Sequence, residues 1–391
     1  MRSVSQRVGR VRASPIRKVT ALLEEAKLHH DIISFGGGAP SLAPPKELME
    51  NAKKLVMDPK VYRYGSTQGS EALRTKISED LKKKGLDYPP EQIAVTIGCA
   101  EAILLSAMTV FNPKEHAVLG DPCYLGYPEA FKMLDINLNW IPLSYKNDFQ
   151  PKQEDVEKIV NKNTKAIVMV SPDNPTGGIL SKESTKMVAD AAVDNDCYIL
   201  FDETYRDIIY DKGYEHHSFA KYAPEHTINC MSFSKCASIP GLRLGYIYTQ
   251  PEIITAIEKL QQYTILCPDS FSQAFMLKFF GLQQNYLQKI VLPTYRKRRD
   301  VMAECLKKYL PEAKFSMPHG SFYFFPYVKE YMGKRSEEGF CKWVMDEAHV
   351  VLIPGNFFGD KGGLGHVRMT FVSEPGERIE EGISKMGELV A

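Results

Sequence analysis

Between residues 91 and 250, short runs of aliphatic and β-branched residues alternate with longer stretches in which apolar residues recur at helical spacing. This alternation is typical of a mostly parallel sheet covered by helices. Helices are predicted at residues 101–111 and 181–195, and Ser181 is expected to cap the second one. The predicted strands are residues 93–97, 117–119, 166–170, 198–201, 228–232 and 244–248.

After residue 295 the pattern changes to that of a smaller α+β domain. A chain of 391 residues exceeds the size at which a single core usually stops growing, so two domains are expected. No long Gly/Ser-rich linker separates them, and a long helix is expected to join them. The predicted elements are helices at residues 296–309 and 337–349 and strands at residues 321–325, 350–353 and 366–371.

The composition is that of an ordinary soluble globular protein, with 44% apolar and 25% charged residues. The 49 Lys and Arg residues balance the 48 Asp and Glu residues, so the net charge of +1 gives no general attraction to nucleic acid or to an anionic membrane. The longest apolar stretch, residues 102–111, is shorter than the roughly 18–20 residues that span a bilayer. We therefore expect a small-molecule partner, no nucleic acid and no membrane.

The 8 cysteines are scattered along the chain without a Cys-x-x-Cys pair. This pattern favours reduced thiols, a cytoplasmic location and no metal site. The first eighteen residues are basic and contain no acidic residue, which is compatible with a transit peptide or with a structural arm. We favour the arm, because the segment continues into a predicted helix at residues 16–26.

Lys235 is the candidate for chemistry that depends on an amine. It ends the segment Ser232-Phe233-Ser234-Lys235, and Arg243 follows eight residues later. An amine that forms a Schiff base must be at least partly deprotonated, which burial and a nearby cation promote. Arg243 and the Ser232 hydroxyl also suit a phosphate as donors. A Ser-x-x-Lys segment alone is more often an ordinary surface feature, so other motifs are needed.

Three more polar residues follow predicted strands. Asn174 lies in residues 171–177, whose prolines and glycine are by themselves ordinary turn chemistry. Asp202 and Tyr205 follow the next strand, where an aspartate is often only a helix cap. Because ligands of such sheets bind beyond the carboxyl ends of the strands, the joint occurrence of these residues with Lys235 indicates a binding site.

The side chains at the strand ends suit a pyridine ring. A buried carboxylate such as Asp202 keeps the ring nitrogen protonated, so that the ring draws electrons from a substrate carbon. Asn174 and Tyr205 are suitable donors to a phenolate oxygen of the ring. The sequence therefore predicts a cofactor of this kind rather than a metal.

A phosphate on the same cofactor requires anion-binding groups. Gly98, Cys99 and Ala100 fall between a predicted strand and a predicted helix, where backbone N–H groups are free. Tyr124 follows the next strand and is expected to pack against the face of the ring.

The sequence resembles the fold-type I pyridoxal phosphate enzymes, and within them the class I/II, aspartate aminotransferase-like aminotransferases. The resemblance implies an α/β fold: a large domain with a mostly parallel seven-stranded sheet covered by helices, and a smaller α+β domain from both chain ends. The implied division is an N-terminal arm and part of the small domain at residues 1–45, a large cofactor-binding domain at 46–290 and a C-terminal small domain at 291–391. The resemblance covers nearly the whole chain and depends on residues 35–40, Tyr64 with Gly69 and residues 73–74, then 98–103, 122–124, 174–177, 202–205, 232–235, 241–245, 320–323 and 367–369.

The resemblance also implies roles for individual residues. Lys235 would form the Schiff base with pyridoxal 5'-phosphate and then move a proton between the substrate α-carbon and the cofactor. Arg368 would hold the substrate α-carboxylate, helped by the main chain at Gly38 and the amide of Asn174. Tyr64 would reach the phosphate of the neighbouring subunit, so that a homodimer would share its active sites.

The sequence departs from the family pattern in two places, and one segment imitates another motif. Cys99 and Ala100 replace a small residue followed by Ser or Thr, so one hydroxyl contact to the phosphate is expected to be missing. Ala39 stands where Glu is common before Pro40. The three glycines at residues 36–38 lack the Gly-x-Gly-x-x-Gly spacing of a dinucleotide site, which we reject.

The implied activity is transfer of an amino group between an amino acid and a 2-oxo acid. Glutamate and 2-oxoglutarate are one expected pair, and an aspartate- or glutamate-type amino acid is the candidate substrate. The alternative is a C–S β-lyase, or another lyase or synthase on the same fold, because the motifs are compatible with either. A non-catalytic regulator is disfavoured, since roughly thirty residues before the first motif are too few for a helix-turn-helix domain.

Substrate specificity is less determined by the sequence. Arg17, Lys18 and Tyr263 are candidates for the side-chain pocket, but the sequence does not orient them. A dicarboxylate substrate would require a second arginine, for which Arg17 is the candidate. The simpler interpretation of Arg17 is a solvated helix residue.

Overall fold

A seven-stranded sheet is the main element of the computed structural model, which describes residues 4–17, 19 and 31–391. The strands of these residues are β1 (Ile33–Ser34), β2 (Ile93–Thr96), β3 (His116–Asp121), β4 (Asn137–Pro142), β5 (Thr164–Val170), β6 (Tyr198–Asp202), β7 (Thr227–Ser232), β8 (Gly245–Tyr248), β9 (Tyr323–Phe324), β10 (Val350–Val351), β11 (Ile353–Pro354) and β12 (Val367–Thr370). In the large sheet their order is β2-β8-β7-β6-β5-β3-β4. Only β8 is antiparallel to its neighbours there, which confirms the predicted mostly parallel α/β architecture.

The strands predicted for this sheet are all present, with ends that agree within two residues. The sequence reasoning missed β4, which lies at the sheet edge. Most of its side chains are half-buried or exposed, and Asn137 and Asn139 interrupt the apolar run. An edge strand of this kind does not show the continuous hydrophobic pattern of a strand buried on both faces.

Helices cover both faces of the large sheet. On one face, Cys99–Val110, Gly126–Met133 and Pro251–Thr264 pack against apolar residues of the strands. On the other face, Gln153–Ile159 and Lys182–Asp194 do the same. Ser181 caps the last of these helices by accepting a hydrogen bond from the Ser184 N–H, as predicted.

Two smaller sheets contain segments from distant parts of the chain. β1 pairs in parallel with β10, and β12 lies between β11 and β9 in an antiparallel sheet. The helix Leu292–Tyr309 packs against the helix Gly376–Val390 beside them. Each helix and strand predicted after residue 295 is present, although Leu292–Tyr309 begins four residues earlier than predicted. The division into domains at residues 45 and 290 stays a prediction.

The helix predicted at residues 16–26 falls largely outside the described residues. In the part of the chain that is described, no helix has the length and apolar character needed to cross a membrane. The remaining α-helices of that part are Gln6–Gly9, Lys46–Leu55, Glu71–Lys83, Phe233–Cys236, Ser270–Phe279, Gln283–Tyr286, Lys329–Met332 and Glu337–Ala348.

Candidate active site

Gly98 lies between β2 and the helix Cys99–Val110 in a conformation that favours glycine. Its φ is 93°, and a Cβ atom there would lie 2.7 Å from Nη2 of Arg243. Arg243 donates from the same nitrogen to the Ile97 carbonyl at 3.3 Å. An exposed guanidinium therefore lies beside a helix start whose first N–H groups have no intrahelical partner.

Lys235 lies in the short helix Phe233–Cys236 that follows β7. Its Nζ donates to the Gly38 carbonyl at 2.6 Å and lies 5.7 Å from the ring centroid of Tyr205. Burial, reinforced by the charge of Arg368, lowers the pKa of the Lys235 amine, although Tyr323 acts in the opposite direction. Such an amine is a better nucleophile and base near neutral pH than a solvated lysine.

Ser232 has a local role in the same helix. Its hydroxyl accepts a hydrogen bond from the Ser234 N–H at 3.1 Å and donates to the Ser234 hydroxyl at 2.8 Å, so Ser232 is the N-cap. The side chain is buried. Its predicted contact with a phosphate stays a prediction.

Asp202 ends β6 as a buried carboxylate with two protein donors. Oδ1 accepts from the Thr204 N–H at 2.8 Å, and Oδ2 accepts from the Tyr127 hydroxyl at 2.7 Å. Cys99 lies close by, and burial together with the charge of Asp202 raises the pKa of its thiol. Each carboxylate oxygen has a further lone pair with which to accept a proton donor of a bound ring.

Arg368 in β12 is buried, and its hydrogen bonds among the described residues go to an amide and a backbone carbonyl rather than to a carboxylate. Nη1 donates to Oδ1 of Asn174 at 3.0 Å, and Nη2 donates to the Gly36 carbonyl at 2.9 Å. Its Nε, also buried, has no hydrogen-bond partner in residues 4–17, 19 and 31–391. Burial lowers the pKa of the Arg368 guanidinium. A buried cation with an unused donor is costly unless an anion binds to it, so this group is suited to a carboxylate ligand.

Tyr205 and Tyr323 are joined through their hydroxyls, whose oxygens are 2.9 Å apart. Both side chains are buried. The Arg368 guanidinium lies 4.4 Å from the ring centroid of Tyr323. The phenol predicted to contact a ring oxygen and the arginine predicted to hold a carboxylate are therefore linked through Tyr323.

The donor and acceptor set fits pyridoxal phosphate. The cofactor requires a buried amine with a lowered pKa, a buried carboxylate with spare lone pairs and a cationic anion site, and Lys235, Asp202 and Arg243 provide these. Within the described residues, no group of three or more His, Cys, Asp or Glu side chains is arranged to hold a metal ion.

Comparison with known proteins assigns the family. Residues 30–385 match the sequence profile of the family described as aminotransferase class I and II. The chain belongs to this family. The resemblance inferred from the motifs is thus confirmed, as is the fold-type I architecture. Class I and II aminotransferases use pyridoxal phosphate.

The relatives of this aminotransferase match over nearly its whole length. It is 33% identical over 379 residues to the aspartate aminotransferase of Pyrococcus horikoshii, which covers 96% of this chain and 95% of the relative. It is 31% identical over 394 residues to aromatic-amino-acid aminotransferase 2 of Thermococcus litoralis, with 99% and 98% coverage. The structure of Thermus thermophilus aspartate aminotransferase with maleate is similar, with a TM-score of 0.93 and 26% identity over 100% of both chains. The chain is therefore an enzyme that moves amino groups between amino acids and 2-oxo acids, and the regulator interpretation is set aside.

Some predicted site residues of this aminotransferase lie at its surface within one chain. Tyr64 is 86% exposed and Tyr263 is 91% exposed. Ala100 and Arg17 are also exposed, whereas Lys18 lies outside the described residues. Tyr124 is partly exposed, and its ring meets that of Tyr127 edge-on at 5.4 Å.

Sequence reasoning missed two residues of the site, Tyr127 and Tyr323. Tyr127 lies three residues after Tyr124, near the start of the next helix, but this spacing did not indicate that its hydroxyl would reach Asp202. Tyr323 belongs to the motif at residues 320–323, but nothing in the sequence connected it with Tyr205. Both contacts join residues that are far apart in the chain.

Proposed function

We propose that this aminotransferase uses pyridoxal 5'-phosphate and acts on aspartate- or glutamate-type amino acids, with 2-oxoglutarate as one acceptor. The observation that carries the amino-transfer chemistry is the buried Arg368, whose Nε has no partner among the described residues and whose charge acts on the Lys235 amine. The aspartate- or glutamate-type side chain is proposed from the relatives. One group is suited to an α-carboxylate and the other to the proton transfer at the adjacent α-carbon.

The cofactor-binding roles follow from the contacts of each group. When bound, pyridoxal phosphate supplies an electron sink that acidifies the substrate α-carbon. Asp202 is proposed to accept the ring nitrogen proton, and Asn174 and Tyr205 to donate to the ring oxygen. Tyr124 is proposed to pack on the ring face. The phosphate is assigned to Ser232, Arg243, and the helix start at Gly98, Cys99 and Ala100.

Lys235 is the proposed catalytic residue. Its amine, whose pKa burial lowers, would hold the cofactor and, when free, would take a proton from the substrate α-carbon and deliver it to the cofactor. The amine donates to the Gly38 carbonyl at 2.6 Å, which places it beside the proposed carboxylate site. The burial that lowers the amine pKa also excludes water from the transferred proton.

Arg368 is proposed to bind the substrate α-carboxylate together with Asn174 and the main chain at Gly38. The Asn174 Oδ1 is occupied by the arginine, so the amide nitrogen is available as a donor. This arrangement orients the α-carbon toward Lys235 rather than merely binding the substrate.

A homodimer is the proposed working unit in the cytoplasm. Tyr64 and Tyr263 expose large aromatic side chains, which are therefore accessible to a partner subunit. Mixing the Tyr64→Ala and Lys235→Ala variants tests whether sites are shared. A hybrid dimer would contain one site with both substitutions and one intact site, so the mixture should regain up to about a quarter of wild-type activity. Mixtures as inactive as either parent would contradict shared sites.

The side-chain specificity is proposed from the relatives, which include aspartate and aromatic aminotransferases. Arg17 is the candidate second cation for a dicarboxylate. The Arg17→Ala variant should lose efficiency with aspartate but not with an aromatic amino acid. Unchanged efficiency with aspartate would identify Arg17 as a solvated surface residue.

The deciding experiment is an absorbance spectrum of the cofactor-loaded enzyme, taken before and after addition of single amino acids. We expect the visible band to disappear with aspartate or glutamate and to return with 2-oxoglutarate. Lys235→Ala should lack the band of the wild type, whereas Lys259→Ala, at an exposed lysine, should retain it. Release of pyruvate and ammonia without any acceptor would instead indicate the β-lyase alternative.

A further inference from the structure

Tyr323 contacts several residues of the proposed site, although the proposed function gives it no role. Its hydroxyl oxygen is 2.9 Å from that of Tyr205, and its ring lies 4.4 Å from the Arg368 guanidinium. A Cβ atom added to Gly38 would overlap the same hydroxyl, and it would lie 3.3 Å from the ring carbon that bears it. One phenol thus adjoins both the cofactor side and the carboxylate side of the site.

The contact with Gly38 matters because of what Gly38 holds. Its carbonyl accepts the hydrogen bond from the Lys235 Nζ at 2.6 Å. The Tyr323 hydroxyl occupies the space that any larger residue at position 38 would need. Tyr323 can therefore keep its hydroxyl at this position only because residue 38 has no side chain.

We propose that Tyr323 is a positioning residue, whose hydroxyl holds the Tyr205 hydroxyl and, by packing against Gly38, sets the position of the carbonyl that binds Lys235. The inference rests on the proposed function, in which Tyr205 donates to the ring oxygen of pyridoxal phosphate.

The direction of the hydrogen bond follows from the number of protons. Each hydroxyl has one proton, so when Tyr205 donates to a ring oxygen it accepts from Tyr323. Donation by Tyr323 polarises the Tyr205 hydroxyl and makes it a stronger donor. A stronger donor would withdraw charge from the ring oxygen. It would thereby lower the basicity of the nitrogen that joins Lys235 to the cofactor. Tyr323 would thus tune the cofactor without touching it.

The charged and titratable groups that face this pair come from several elements. They are the amine of Lys235, the guanidinium of Arg368, the carboxylate of Asp202 and the phenol of Tyr124. A substitution that only removes the Tyr323 hydroxyl leaves all of these groups in place and keeps the ring under Arg368.

The first test follows the visible band of the cofactor-loaded enzyme as a function of pH. The measured quantity is the pH at which half of the band has changed from its protonated to its deprotonated form. In Tyr323→Phe this midpoint should rise by about 0.3–0.7 pH unit, because the Tyr205 donor is weakened. The control is Tyr286→Phe, which removes a buried hydroxyl that donates to the Ala43 carbonyl at 2.7 Å and should not shift the midpoint. A Tyr323→Phe midpoint equal to that of the wild type would overturn the tuning role.

The second test needs no cofactor. Gly38→Ala should lower the midpoint of thermal unfolding in the wild-type background, whereas Tyr323→Phe should restore most of the loss by removing the overlapping oxygen. Gly241→Ala, where an added Cβ would meet nothing within 4 Å, is the control for loss of a glycine. Strictly additive effects of the two substitutions would overturn the packing role.

The two tests separate the inference from the proposed function. A wild-type enzyme without a visible band would contradict the proposed function, but the coupling between positions 38 and 323 would still be measurable. A normal band with an unshifted midpoint and additive unfolding would contradict the inference alone.

Discussion

The Nη1 of Arg368 donates to the Oδ1 of Asn174 at 3.0 Å, which joins β12 to the loop after β5. The two residues are 194 positions apart in the chain. This bond orients the Asn174 amide so that its nitrogen is free to donate, and it orients the guanidinium so that Nε has no partner in the described part of the chain. The proposed carboxylate site thus exists only when two distant segments are folded together.

Replacing Arg368 with lysine should weaken substrate binding more than it affects cofactor binding. A lysine cannot make the paired contacts of a guanidinium, and the loss should be about 2 kcal/mol, or roughly 30-fold in kcat/KM. Arg335→Lys, at an arginine stacked 4.0 Å from Trp343, is the matched control. Steady-state kinetics with aspartate will check this, and an unchanged kcat/KM would contradict the carboxylate role.

Replacing Tyr127 with phenylalanine should weaken cofactor binding. Without the hydrogen bond, the Asp202 carboxylate must be ordered when the cofactor binds, at a cost of about 1 kcal/mol, so the dissociation constant of pyridoxal phosphate should rise roughly 5-fold. Spectral titration of the cofactor-free enzyme measures this. Tyr331→Phe, whose hydroxyl accepts from the Glu312 N–H at 2.8 Å, should leave the constant unchanged. Equal constants for wild type and Tyr127→Phe would show that the bond does not support Asp202.

Replacing Gly98 with alanine should damage the proposed phosphate site. The added methyl group would press on Arg243, and a φ of 93° disfavours alanine, so unfolding should become easier by about 1–3 kcal/mol. Cofactor affinity should fall as well. Gly281→Ala, where the nearest atom to an added Cβ is 3.7 Å away, serves as control. Thermal unfolding and cofactor titration together check the prediction, which an unperturbed Gly98→Ala protein would contradict.

Asp173, a partly buried carboxyl, should make stability depend on pH. Burial raises the pKa of its carboxyl from 3.8 to about 6, although hydrogen bonds from Thr176 oppose the shift. Between about pH 4 and 6 the folded chain holds a proton that the unfolded chain has released, so this group's contribution to stability is lost as the pH rises. The total for this group should be about 2–3 kcal/mol.

Asp173→Asn is the variant that isolates this effect, because an amide does not titrate and its oxygen can still accept from Thr176. Its unfolding free energy minus that of the wild type should increase between about pH 4 and 6 and then level off. Denaturant unfolding at several pH values measures the difference. A difference that is flat across this range would mean that Asp173 titrates normally.

The gathering of Asn174, Asp202 and Lys235 could be predicted from the sequence. Each follows an apolar run, and the carboxyl ends of β5, β6 and β7 meet at one edge of a parallel sheet. Hydrophobic periodicity thus determined both the strands and where their polar ends would meet. The family resemblance added Arg368 and Gly38, which no local pattern links to that edge.

The edge strand β4 and the two missed tyrosines show where such reasoning stops. β4 is partly exposed at the sheet edge, so its burial pattern is decided by neighbours and not by its own composition. Tyr127 meets Asp202 across 75 positions, and Tyr323 meets Tyr205 across 118. A tyrosine hydroxyl carries no sequence signal of its partner, because its hydrogen bond depends on where two packed elements bring two oxygens together.

The sequence by itself therefore determined the sheet, the order of the polar residues at its edge and the chemistry they suit. Only the tertiary structure decided which polar atoms are paired and which are left over. The unpaired Nε of Arg368, the lowered pKa of the Lys235 amine and the contact of Tyr323 with Gly38 all arise from burial between distant segments. Burial produces these effects, because it removes water from charged groups and packs side chains against one another.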